Sequence, residues 1–93
     1  MSALRQKMLQ RMQLRGFSVR TQEAYIGWIV RLAKFYRCSP DQLDDSQLEV
    51  FVLNLITRQK LSASTCRQAL HSIRFFYSKV VGREVSRLTL PSL

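Results

Sequence analysis

The sequence predicts an all-α fold, a compact four-helix bundle. Apolar residues recur at three- and four-residue spacing in four separate stretches, the period of amphipathic helices. Residues that start or stop helices bound each stretch. Only 3 glycines and 2 prolines are spread over 93 residues, too few turn formers for a strand-and-turn design.

The first helix is expected over about 3–14, where Leu4, Met8 and Met12 form a stripe and Gly16 provides a stop. Lys7, Arg11 and Arg15 make a basic row at the same spacing. Ser18 is a good N-cap for the second helix, because its hydroxyl can accept a free backbone N–H. That helix runs to about Tyr36, with Tyr25, Trp28, Ile29, Leu32, Phe35 and Tyr36 on one face and Arg20, Gly27, Arg31 and Lys34 on the other. "CSPDQLDD" breaks the pattern with Pro40 and a cluster of turn formers. A third helix opens at "SQLE", where Ser46 and Glu49 suggest a capping box, and it buries Leu48, Phe51, Val52 and Leu55 before ending near Gln59. The fourth begins around Ser62 to Ser64 and continues to about Val81. Cys66, Ala69, Leu70, Ile73, Phe76, Tyr77 and Val80 share its buried face, and Gly82 ends it. Residues 1–82 therefore read as one helical domain and 83–93 as a tail or the start of a linker, weakly extended up to Pro91.

Composition narrows the function. Fifteen Lys and Arg against 6 Asp and Glu give a formal charge of +9, and the pI is about 10.6. Such a balance suits a polyanionic partner, most often nucleic acid. The charge is uneven: +7 over 1–37, −3 over 38–59 and +5 over 60–93. Cys38 and Cys66 match neither a zinc pattern nor a disulfide framework and are expected to be reduced thiols of a cytoplasmic protein. There is no signal-peptide pattern and no run of about 20 apolar residues, so no membrane partner is expected.

Catalytic constellations are missing from the sequence. His71, the sole histidine, has no carboxylate at helical spacing. Asp41, Asp44 and Asp45 have turn and cap duty, and Tyr25, Tyr36 and Tyr77 lie on apolar stripes. No cofactor or metal is expected. Binding is another matter. Arg67, His71 and Arg74 stand at i, i+4 and i+7 on the fourth helix, beside Ser64 and Ser78. A solvated face is the plain reading. The alternative is a helix laid against DNA, with arginine forks on phosphates or guanine edges and hydroxyl-capped helix starts on phosphates. Ser18, Arg20 and Thr21 repeat the arrangement at the second helix.

"FSVRTQEAYIGWIVRLAKFY" and "LSASTCRQALHSIRFFYSKV" resemble the N-terminal core-binding domain of tyrosine recombinases of the phage integrase family, with the integron integrases as the nearest branch. The matching residues are Ser18, Arg20, Thr21 and Tyr25, then Ser62, Ser64, Thr65, Arg67, Gln68, Ala69 and Leu70. The likeness covers about 4–82. It implies a SAM-like four-helix domain that clamps a recombination site on double-stranded DNA opposite a catalytic domain of the same parent chain, with its second and fourth helices facing the major groove. Other recombinase protomers would be further partners. Strand exchange through a tyrosine–phosphate link would belong to the catalytic domain. The chain reaches Leu93 about where the linker is expected, so this piece is expected to be non-catalytic, cytoplasmic in a prokaryotic cell and nucleoid-associated when bound. The DNA-binding candidates are Lys7, Arg11, Ser18, Arg20, Thr21, Lys60, Ser62, Ser64, Thr65, Arg67, Gln68, His71 and Arg74. Val50, Leu53 and Phe75 fall outside the core stripes. They are expected on the tail or the first helix, and otherwise against a catalytic domain or neighbouring protomer. A stand-alone helical DNA-binding regulator, a protein-interaction module and a membrane-surface peptide are the rival readings.

Overall fold

The computed structural model describes residues 2–85. Helices α1 (Ser2–Leu14), α2 (Val19–Tyr36), α3 (Asp45–Thr57) and α4 (Ala63–Phe75) follow one another, and among the described residues there is no strand. A 3₁₀ turn, Pro40–Gln42, joins α2 to α3, and a π-helical segment, Phe76–Val81, continues α4. The all-α expectation and the four stretches hold.

Met8 and Met12 of α1, Ile29 and Leu32 of α2, Leu48, Phe51, Val52 and Leu55 of α3, and Cys66, Ala69 and Ile73 of α4 form one core. Helix α4 is its axis. It packs against α2 and α3, while α1 lies mainly on the π segment. The predicted stripes are therefore the buried faces, with edges adjusted. Ile26 joins the α2 face, and Phe35 is 40% exposed at its rim, edge-on to Phe51 at 5.3 Å.

The structure corrects the start of α3. The capping box is Asp44 with Gln47, not Ser46 with Glu49: Asp44 Oδ1 accepts from Gln47 N at 2.8 Å, and Gln47 Oε1 accepts from Asp44 N at 2.9 Å. "DDSQLE" contains both pairs at the right spacing. Burial decides between them, because with Asp44 as cap the residues before the cap and at the fourth helical position are Leu43 and Leu48, both buried. That is the spacing of a hydrophobic staple. The other register would assign those positions to Asp45 and the exposed Val50. At the far end α3 stops at Thr57, two residues earlier than expected.

The end of α4 is also not the plain helix expected. Ser72 Oγ and Ser78 Oγ donate to the carbonyls of Gln68 and Arg74, four residues back, at 2.9 and 2.7 Å. Such back-bonding competes with the helical ladder, and the segment from Phe76 widens into a π turn. The wide turn seats Phe76, Tyr77 and Val80 in the core. Gly82 closes it in the left-handed conformation at φ 84°. Packing continues beyond that glycine. Arg83 Nη1 donates to Leu43 O at 2.6 Å, its Nη2 lies 3.5 Å from Asp45 Oδ1, its guanidinium sits over the Tyr77 ring, and Val85 is buried. The extended character expected for the tail falls mostly on residues 86–93, outside the described residues.

Phe75 packs on the turn that follows α1. It meets Phe17 and Tyr25, at ring separations of 5.4 and 5.9 Å, and closes the turn between α1 and α2. Val50 and Leu53 are 53% and 51% exposed rather than covered by α1.

Candidate nucleic-acid interface

The starts of α2 and α4 are built alike. Ser18 and Ser62 take the same extended conformation, with φ and ψ of −64° and 157° and of −62° and 157°. Each serine Oγ accepts the backbone N–H three residues on, from Thr21 and from Thr65, at 3.2 Å in both cases. Each hydroxyl also donates to that threonine's hydroxyl, at 3.0 and 2.9 Å. Behind the caps, Gln22 Nε2 donates to Phe17 O and Cys66 Sγ to Leu61 O. Both starts lack an acidic residue in the first turn. The N–H groups of Val19, Arg20, Ala63 and Ser64 head their helices, where the ladder supplies no acceptor and the dipole is positive.

The two starts are not neighbours. Along α2, Tyr25 meets Phe75, Trp28 Nε1 donates to Gln68 Oε1 at 3.3 Å, and Arg31 lines a cleft with Leu61 and Thr65. Partners on α4 thus run backwards as α2 runs forwards, and the helices lie in opposite senses. The Ser18 start abuts the Phe75 end of α4, and the Ser62 start abuts the second half of α2. Thirteen residues of α4 separate the two ends, a rise of about 20 Å.

Between them lies the polar side of α4. Arg67, Gln68 and His71 are exposed and Arg74 is half-buried, so the predicted row is an outer ridge and its last member a packed one. From Lys60 to Arg83 the sequence has no acid. Ser64 is exposed in the first turn, Thr65 is half-buried under the cap, and Lys60, exposed and left-handed at φ 52°, leads into it. Arg20 is exposed beside Ser18 and the half-buried Thr21. Lys7 and Arg11 are exposed on α1, each one residue before a buried methionine. They belong to a different element from the ridge. Arg15 leaves their row: it lies past the end of α1, donates to Arg11 O at 3.3 Å and places its guanidinium 5.6 Å from the Phe75 ring centre.

Two cations were missing from the sequence-based set. Arg31 lies 4.7 Å over the Trp28 ring and lines the cleft at the start of α4, and Arg15 stands over Phe75 at the other end. Arg31 carried a usable signal, since it follows Trp28 by three residues, one helical turn. Arg15 carried none, because its position depends on the fold of the turn.

Two of the phenols, Tyr77 and Tyr36, are held in their protonated form. Tyr77 is buried and donates to Pro40 O; burial pushes its pKa well above the usual value, with nearby Arg83 only partly opposing. Tyr36 donates to Gln47 O at 2.6 Å and is also raised, by burial first and then by Asp44 and Cys38. Tyr25 is half-buried, edge-on to Phe17. Cys38 and Cys66 are free thiols. No helix among the described residues is long and apolar enough to cross a membrane.

A family model described as the phage integrase N-terminal SAM-like domain matches residues 4–87. The chain belongs to that family. Integrase/recombinase proteins of Escherichia coli and Pseudomonas aeruginosa are each 37% identical to it over 73 residues, 77% of this chain and 22% of their own length. A putative integrase/recombinase of Sinorhizobium fredii is 31% identical over 84 residues, 90% of this chain and 27% of that protein. The chain thus spans about a quarter of the length of these curated relatives.

Proposed function

We propose that this integrase N-terminal domain binds double-stranded DNA through the α2·α4 face and serves as the clamp half of a site-specific tyrosine recombinase. The observation that carries the reading is the pair of acid-free, serine-capped helix starts at opposite ends of an arginine ridge. An unneutralised helix start favours an anion, and cations beside it are tolerable when that anion is a phosphate. A span of about 20 Å is wider than the roughly 12 Å major groove, so the ends suit phosphates on its two walls with α4 between them. Arg20 would serve one wall and Lys60, Arg31 and Arg67 the other. Lys7 and Arg11 would add long-range attraction from α1.

Strand-exchange chemistry would reside in a catalytic domain of the parent protein, since Tyr77 and Tyr36 commit their hydroxyls to backbone carbonyls and Tyr25 packs edge-on to Phe17. The exposed Val50 and Leu53, beside the acidic stretch, support a contact with that domain or with a neighbouring protomer. The test is binding of a labelled duplex by wild type and by the Arg20→Ala/Arg67→Ala double variant, with anionic vesicles as the competitor. Duplex binding that weakens in the folded variant and persists with vesicles present supports the proposal. Equal affinity of the two proteins for DNA, or preference for vesicles, overturns it.

A further inference from the structure

Trp28 buries its ring, at 6% exposed, and its indole N–H still needs an acceptor. The acceptor is the side-chain amide of Gln68, with Nε1 and Oε1 3.3 Å apart. An indole nitrogen only donates, whereas an amide has one end of each kind. The end facing Trp28 must therefore be the oxygen, and the NH₂ group is the end left to face solvent. Gln68 itself is exposed, on the ridge next to Arg67. Arg31 covers the Trp28 ring at 4.7 Å, and the adjoining cleft of about 400 Å³ is lined by Gly27, Arg31 and Thr65. Gly27 contributes no side chain there, so the approach to the amide is open.

An unconstrained glutamine in a major groove pairs with adenine, giving a hydrogen bond to N7 and taking one from N6. Gln68 is poorly placed for that, because the bond to the indole turns its oxygen toward Trp28 and its NH₂ group outward. We infer that Gln68 is a specificity-determining residue that Trp28 locks as a hydrogen-bond donor, so that it reads a base edge presenting acceptors only, guanine N7 and O6 before thymine O4. The inference rests on the DNA-binding proposal above. It adds a base preference and a residue that enforces it from within the core.

The experiment sequences the bound fraction of a randomised duplex pool for the full chain, for Gln68→Glu and for Trp28→Phe. Wild type should enrich guanine at one position. Glutamate keeps an oxygen toward the indole but turns an acceptor outward, so Gln68→Glu should move that position to cytosine, whose N4 donates. Trp28→Phe frees the amide to rotate, and adenine should rise there. Single-base exchanges at the position should change wild-type affinity about five- to tenfold, as for one hydrogen bond gained or lost. In the free protein, hydrogen exchange of the Trp28 indole proton should quicken in Gln68→Ala. The same base profile for wild type and Gln68→Glu overturns the inference while leaving DNA binding intact, as does unchanged indole exchange in Gln68→Ala. Absence of duplex binding by folded wild type overturns the DNA-binding proposal and this inference with it. Gln68→Glu alters only an exposed residue, so the comparison stands even where Trp28→Phe fails to fold.

Discussion

At the start of α3, Asp44 and Asp45 set two carboxylates beside the free N–H groups of the first turn, and Gln47 completes the box. At the start of α4, Ser62, Ser64 and Thr65 bring hydroxyls and no charge. The corner around α3 spends its polar groups on its own contacts. Arg83 reaches Asp45 and Leu43 O, Tyr77 reaches Pro40 O, and Asp41 accepts from Ser39. The α2·α4 face keeps its helix starts free of acid and sets Arg20 and Arg67 exposed beside them. One small domain thus contains a region where carboxylates meet its helix start and its arginine, and another where the helix starts carry hydroxyls and exposed cations with no acid beside them. The difference predicts that substitutions in the first region lower stability and leave DNA binding alone, whereas those in the second do the reverse.

The largest expected effect is at Tyr77. Tyr77→Ala removes a fully buried ring and its bond to Pro40 O, and should cost about 3–5 kcal/mol in thermal or denaturant unfolding. Tyr77→Phe should cost about 1–2 kcal/mol, because the Pro40 carbonyl loses its donor. Neither should alter the salt dependence of DNA binding while the protein is folded. The same residue gives a pH test. Its folded-state pKa is raised above the unfolded value of about 10, so its contribution is complete below pH ~10 and is lost as pH rises through the folded value. Stability of wild type should therefore fall above pH ~10, by up to about 1.4 kcal/mol per unit from this group, and Tyr77→Phe should show a shallower decline in parallel unfolding curves.

The helix starts can be exchanged. Aspartate caps a helix about as well as serine and complements the dipole better, so Ser62→Asp should leave the melting temperature equal or higher. It also places a carboxylate where a phosphate is proposed, and duplex affinity should drop at least about tenfold at low salt. Asp44→Ser is the converse: a loss below about 1 kcal/mol in stability and no change in affinity. Equal affinities for the two variants would erase the distinction between the starts.

How far the sequence reveals this division depends on what the residues respond to. The four stripes, the Ser18 cap and a hydroxyl cap within Ser62 to Ser64 were legible, because each depends on residues within one or two turns. The α3 register was not, since Asp44–Gln47 and Ser46–Glu49 are equally good local motifs and only the burial of Leu43 with Leu48 separates them. The π segment was hidden because an apolar stripe reads the same in an α turn and a π turn, and the back-bonding of Ser72 and Ser78 beside it leaves no mark in the periodicity. At the candidate site the ridge residues were readable as a periodic row. That α2 and α4 run in opposite senses was not, and with it went the place of Arg31 at the start of α4 and the partnership of Trp28 with Gln68.

The smallest expected effect is the most discriminating. Arg67 is exposed on the ridge, and its replacement by alanine should change stability by no more than about 0.5 kcal/mol. If the side chain neutralises one phosphate, one counterion fewer is released on binding. The slope of log affinity against log salt should then shrink by about 0.9 on duplex DNA. Arg20→Ala, at the far helix start, should produce the same decrement, and the double variant about twice as much, because contacts some 20 Å apart are independent. The measurement is a salt titration of the four proteins on one duplex, with folding followed by circular dichroism. Additive decrements tie both helix ends to phosphates at once. A decrement for Arg67 alone would confine the contact to the α4 end and break the two-wall arrangement. Unchanged slopes in folded variants would leave the ridge as a solvated surface.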